Sequence, residues 1–199
     1  MMESECNGSN QDHPPAEIFT VGHGSRSWDA FLKVLWSHGI QRVVDVRAYP
    51  ASRRNPHFSR ARLEVGLAER GIAYRWDGKA LGGFREPRAS SRNISIGSPG
   101  MRAYADHMHT EEFKLAANRL SQEALWARTV ILCAEVDPAR CHRWLLSDYL
   151  TAKGLTVRHI RSTGEPKVHI ISPMARVEDG ALIYDGPVPM LPAPAPNEA

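Results

Sequence analysis

The stretch VILCAEVDPARCHRWLL, residues 130–146, sets two thiols, two carboxylates, a histidine and two arginines behind a short apolar run. Three kinds of chemistry are open to such a set. Cys133 or Cys141 could serve as a nucleophile, Glu135 and His142 as acid–base groups, or the arginines as an anion clamp. Spacing and charge argue against the thiols. From Cys133 to Arg140 the interval is one residue longer than in the Cys-x5-Arg loop of phosphatases and rhodaneses. Glu135 and Asp137 would raise the pKa of a neighbouring thiolate, when activation needs it lowered. Pro138 removes one N–H from any anion cradle. Cys133 therefore reads as a buried strand cysteine, and neither thiol is expected to have a lowered pKa. Glu135 reads as a solvated loop acid or as a base and hydrogen-bond acceptor for an amine-bearing ligand. His142 reads as a core imidazole or as its catalytic partner.

A second candidate is DVRAYPASRRNPHFSRAR, residues 45–62, with Arg47, Ser52, Arg53 and Arg54 among Tyr49, His57 and Phe58. Guanidinium groups interleaved with aromatic rings suit an anionic, base-bearing ligand, and the alternative is a solvated basic face. GHGSRS, residues 22–27, is Gly-rich and could receive a phosphate on its N–H groups, or simply form a tight turn. It is not a G-x-G-x-x-G fingerprint, and the P-loop lysine is missing.

Composition narrows the setting. The 199 residues suit one domain, with a net charge of only +3 that does not by itself imply nucleic acid. No apolar run is long enough to span a membrane, and the start lacks a signal-peptide core. Three cysteines without an export signal point to reduced thiols in the cytoplasm. A CxxC pair is absent, which argues against a zinc ribbon; no metal site and no cofactor is read from the sequence.

Elements that would position these residues alternate along the chain. IFTVG (18–22), RVVDV (42–46), IAYRW (72–76), TVILCA (129–134) and LTVRHI (155–160) read as strands. Trp28, Phe31, Leu32, Leu35 and Trp36 share one helix face, with Ser27 as N-cap and Gly39 beyond the end. Ser59 starts a helix to about Arg70, with Phe58 stapled onto Leu63. Thr110 starts another to about Ala124, and Asp137-Pro138 a third to about Lys153. Residues 77–100 read as a long loop, and KVHIIS (167–172) and ALIYDG (181–186) as edge strands or a hairpin. Such alternation predicts an α/β three-layer sandwich with a mainly parallel sheet in a single domain. Ligands of these sheets bind at the carboxyl ends of the strands, where His23, Arg47 and Glu135 all fall.

TVGHGSRSWDAFLKVLWSHGIQRVVDVRAYPASRRNPHFSRARL, the LGG of 81–83, YADHMHTEEF and LCAEVDPARCHRWLLSDYL together resemble the uncharacterised family known as domain of unknown function 488. The resemblance covers residues 18–160, between an N-terminal arm (1–17) and a C-terminal extension (161–186) with a Pro/Ala-rich tail (187–199). It marks His23, Arg47, Pro50, Ser52, Arg53, Tyr104, Glu135, Cys141, His142 and Arg143 as signature positions and implies an α/β domain. The resulting expectation is a cleft binding a nucleotide or nucleic acid, with hydrolytic or glycosidic chemistry as one outcome. His23, Arg47, Ser52, Arg53, Arg54, Tyr104 and Arg143 would hold the ligand, and Glu135 and His142 would act on it. A sulfurtransferase or phosphatase using Cys133 or Cys141, and a binding module without catalysis, are the alternatives.

Overall fold

Runs of aliphatic and β-branched residues bounded by turn residues form a six-stranded sheet in a computed structural model that describes residues 16–51 and 54–187. β1 (Glu17–Gly22), β2 (Arg42–Asp45), β3 (Ala73–Trp76), β4 (Thr129–Cys133) and β5 (Thr156–Ile160) are parallel. β6 (Lys167–Val168) adds to one edge antiparallel to β5, and the order is β3-β2-β4-β1-β5-β6. β4 is buried throughout and β1 nearly so, because helices cover both faces of the sheet.

Alternate strand residues face opposite layers. Phe19, Val21, Val130 and Leu132 pack under α1 (Trp28–Ser37) and α2 (Arg60–Ala68), against Phe31, Leu35 and Leu63. Ile18, Ile131 and Val157 meet the other layer, α4 (Pro99–His107), α5 (Glu111–Trp126) and α6 (Arg143–Ala152), through Tyr104, Phe113 and Leu146. The chain is thus the expected three-layer α/β domain. Local signals explain the helix ends. The Ser27 hydroxyl accepts from the Ala30 N–H, and Gly39 takes φ +61° just past the end of α1. Phe58 and Leu63 share one cluster, as the staple requires. No helix among the described residues is long and apolar enough to cross a membrane.

Two of the expected elements change. The loop of 77–100 contains a short helix, α3 (Gly78–Leu81), and ends at α4, where Ser98 caps the Met101 N–H and Pro99 takes the first turn. The helix expected from Asp137 is broken. Asp137 caps only a 3-10 turn, Pro138–Arg140; Cys141 is extended (φ −136°, ψ 145°), and α6 starts two residues later. As expected, 167–168 gives the edge strand β6 and 181–184 a hairpin strand: β7 (Ala175–Glu178) and β8 (Ala181–Tyr184) pair antiparallel and insert Leu182 and Tyr184 into the core. The expected arm overlaps the domain, because Glu17 already pairs with Thr156. Most of the arm and of the tail lies outside the described residues.

Candidate functional site

At the carboxyl edge of the sheet a cavity of about 400 Å³ opens above the ends of β2 and β4, with Arg47, Cys133, Glu135, Cys141 and His142 in its wall. The loop after β4 makes this wall by crossing over β1. A Cβ on Gly22 would lie 1.7 Å from the Glu135 carbonyl oxygen, so only glycine allows the crossing. His23 N–H donates to the Cys133 carbonyl at 3.0 Å and Gly24 N–H to that of Ala134 at 2.8 Å. The GHGSRS segment is accordingly a βα turn with these two donors already engaged, and Gly24 (φ +57°) makes it tight. Arg143, 1% exposed, reaches the Val21 carbonyl at 3.4 Å and the Val136 carbonyl at 3.0 Å. It clamps the crossing from beneath. Expected to hold ligand, it is neither exposed nor part of the cavity wall; Nη1 and Nη2 meet these two carbonyls, and its buried Nε has no hydrogen-bond partner among the described residues.

Arg47 lines the cavity, yet its charge is met inside the protein. Its Nε and Nη2 donate to Asp45 at 2.8 and 2.6 Å, and Nη2 also reaches the Phe58 carbonyl at 2.9 Å. Asp45 is fully buried and accepts a further bond from the Tyr74 hydroxyl at 2.8 Å. This fork matches a carboxylate bidentately, as a phosphate would be matched. Arg47 Nη1 donates to His23 Nε2 at 3.2 Å, so the His23 proton sits on Nδ1 and is given to the Gly24 carbonyl at 2.8 Å. Burial, with the Arg47 charge, pushes the His23 pKa down to about 4, against the opposing effect of the Gly24 bond. Stacked on Phe58 at 4.3 Å, His23 is a satisfied neutral imidazole. Both residues frame the site; neither offers a free charge to it.

The thiols depart further from expectation. Both are buried as anticipated, but the extended conformation of Cys141 brings its Sγ to 3.1 Å from Cys133 Sγ. His142 Nδ1 lies 3.7 Å from the Cys141 sulfur and 4.0 Å from that of Cys133. The S–H bond from Cys141 holds the Cys133 thiol well below its ordinary pKa, with His142 assisting and burial opposing. The same bond, with burial, pushes Cys141 up. The expectation that neither thiol has a lowered pKa thus holds for Cys141 and not for Cys133, through a pairing that no linear spacing displays. The His142 ring is held edge-on by Tyr104 at 5.0 Å, and a Cβ on Gly83 would come within 2.6 Å of its Nδ1. Tyr104 is completely buried, and its hydroxyl donates to the Leu81 carbonyl at 3.1 Å. Expected to touch ligand, it lies in the core with its ring against His142 and outside the cavity wall.

The rim is where free groups collect. Glu135 is exposed, and its carboxylate has no partner among the described residues. It borders both the cavity and an adjoining open groove containing Arg54 and Arg140. Those two guanidiniums meet no carboxylate among the described residues. Tyr49 and Phe84, 73% and 77% exposed, form a tilted ring pair with centroids 5.5 Å apart on the cavity wall beside Arg85. Ser52 and Arg53 lie outside the described residues. Reading the sequence missed Asp45, Phe84, Arg85 and the partnering of Arg140 with this groove. Asp45-x-Arg47 at a strand end was the one local signal, since a carboxylate among four valine-rich strand positions needs a buried cation.

A search of curated proteins and one of solved structures returned no match to the chain. Against protein families, residues 27–150 match the one described as domain of unknown function DUF488. That segment carries α1 through most of α6, including Arg47, Glu135, both thiols and His142 of the cavity wall. On this match the chain belongs to the domain of unknown function DUF488 family.

Proposed function

We propose that the cavity binds a nucleotide, as a free molecule or as a unit of a single strand. The observation that carries this reading is the exposed Tyr49–Phe84 ring pair sharing the cavity with Arg85 and Arg140, with Arg54 in the adjoining groove, guanidiniums that pair with no carboxylate among the described residues. Two exposed aromatic rings gain little from water and offer flat faces on which a base stacks, for roughly 1–3 kcal/mol per base. The guanidiniums would then meet its phosphate, and the Glu135 carboxylate would accept from an exocyclic amine. A cavity of about 400 Å³ suits a single nucleotide better than a duplex. If the bound ligand is turned over, Glu135 is the general base in hydrolytic or glycosidic chemistry, and His142 its neighbour on the wall.

Titration calorimetry with a panel of nucleotides and short single-stranded oligonucleotides tests this. Tyr49→Ala and Arg140→Ala each weaken binding several-fold, without lowering the melting temperature, because both side chains are at the rim. A strand gives an affinity that falls steeply with salt, by roughly 0.7 log units per log unit of salt for each phosphate met; a mononucleotide gives a shallow slope. Absence of any binding at low salt overturns the reading. The Cys133 sulfur, at the cavity wall with Cys141 Sγ at 3.1 Å and His142 Nδ1 at 4.0 Å, supports a second reading, sulfur or phosphoryl transfer through that residue. Rapid alkylation of Cys133 by iodoacetamide at mildly acidic pH, with loss of turnover, would support it.

A further inference from the structure

Nucleotide binding as proposed above rests on the rim rings and guanidiniums and uses neither of the two sulfurs in the cavity wall. Cys133 ends β4, Cys141 is the extended residue ahead of α6, and His142 occupies the N-cap position of that helix. The three donor atoms, two Sγ and His142 Nδ1, all lie within 4.8 Å of one another, and all three residues face the cavity. We propose that they form a three-ligand site for a zinc ion whose fourth coordination position opens toward the cavity.

The distances suit this ion. Zinc–sulfur bonds of about 2.3 Å and zinc–nitrogen bonds of about 2.05 Å in a tetrahedron place sulfurs roughly 3.8 Å apart and sulfur and nitrogen roughly 3.6 Å apart. The two sulfur–nitrogen separations, 3.7 and 4.0 Å, already agree within a few tenths of an ångström. The sulfurs, at 3.1 Å, must open by about 0.7 Å, a small rotation of two side chains. A disulfide would need them to close by about 1 Å. The imidazole is also held in place, edge-on to the Tyr104 ring and against the Gly83 backbone, with its Nδ1 on the side of the sulfurs. Two thiolates balance the ion's charge, so the closed site would be neutral in a buried setting.

The donor chemistry decides the metal class. Two sulfurs and an imidazole select zinc and other soft ions over magnesium or calcium, which require oxygen ligands. Three protein ligands with an opening are the pattern of a site that holds water or substrate, whereas structural zinc sites close with four. Glu135, two residues from Cys133, is the carboxylate on the same cavity wall. This site stands on residues that nucleotide binding does not need, so either proposal can fail alone.

The test uses the full chain, reduced, stripped of metal by a chelator and titrated with zinc in competition with a chromophoric chelator, with no nucleotide present. One zinc per chain is expected, with a raised melting temperature that magnesium does not reproduce. Cobalt in its place should give a thiolate charge-transfer band and the intense visible bands of tetrahedral coordination. Cys133→Ser, Cys141→Ser and His142→Ala should each weaken zinc binding by about a hundredfold or more, while Cys6→Ser leaves it unchanged. Should a cysteine variant fail to fold, loss of the cobalt thiolate band on oxidising the wild type to a Cys133–Cys141 disulfide supplies the same information. Absence of zinc binding to the reduced wild type overturns the proposal, as does full binding by a Cys133→Ser/Cys141→Ser double variant.

Discussion

Arg47 and Asp45 show how a residue's neighbour decides its role. A guanidinium 6% exposed at a strand end looks like a phosphate ligand until its fork is found closed on a carboxylate. Removing one member of such a buried pair leaves the other charged and unpaired, which costs about 3–5 kcal/mol. Asp45→Ala is therefore expected to lose that much in urea unfolding, with the Tyr74 hydroxyl losing its acceptor at the same time. Replacing both partners by well-packed apolar residues, Asp45→Leu with Arg47→Met, should recover much of the loss. A cost below about 1 kcal/mol for Asp45→Ala would mean that the pair is not structural and that Arg47 is free to meet ligand.

Between elements, a chain of polar groups ties β1, β5, α6 and the C-terminal segment together away from the cavity. Thr20 donates to His159 Nδ1 at 2.7 Å, His159 Nε2 to His169 Nδ1 at 2.9 Å, and His169 Nε2 to Asp148 at 2.7 Å. Asp148 also accepts from the Ser172 N–H and the Tyr184 hydroxyl, both at 2.9 Å. One direction of donation satisfies every member only if His159 stays neutral. Burial, with His169 and Arg143 nearby, pushes its pKa down to about 3. In the unfolded chain the same ring has a pKa near 6.5, so unfolding takes up a proton between those values. Its contribution to stability is present above about pH 6.5 and is lost as pH falls toward 3, at up to about 1.4 kcal/mol per pH unit. The melting temperature should decline over that window, and His159→Gln should flatten the decline. An equally steep profile in the variant would assign the acid sensitivity elsewhere.

At the scale of the whole molecule, the family match and the folding unit have different boundaries. Residues 27–150 omit β1 and β5, yet β1 lies between β4 and β5 at the centre of the sheet. Ile18, Phe19 and Val21 are fully buried on β1, and each contributes roughly 1.5–3 kcal/mol by leaving water. Together with the lost strand pairing, that rivals the ~5–15 kcal/mol net stability of a typical domain. A fragment of residues 27–150 is expected to show no cooperative thermal unfolding, whereas residues 16–187 should unfold in one transition. Cooperative melting of the shorter fragment would place the core elsewhere. The C-terminal extension is part of this unit, because Tyr184 both fills the core and hydrogen-bonds Asp148 of α6.

What the sequence determined by itself is the set of features that near neighbours control. Strand alternation, the caps at Ser27 and Thr110 and the glycines at 39 and 71 depend on residues within one or two turns, so the α/β order and most element positions were legible. The carboxyl-edge placement of Arg47 and Glu135 followed from that order. Only tertiary structure decided which of these groups are free. Arg143 is engaged by Val21 from far along the chain, and Arg47 by a carboxylate whose inward face follows from sheet parity. The Cys133–Cys141–His142 cluster arose because Cys141 breaks the helix that the Asp137-Pro138 signal predicts, turning its sulfur toward the end of β4. A three-dimensional contact between buried polar groups depends on where packing closes, and packing is a sum over the whole chain that no local pattern carries.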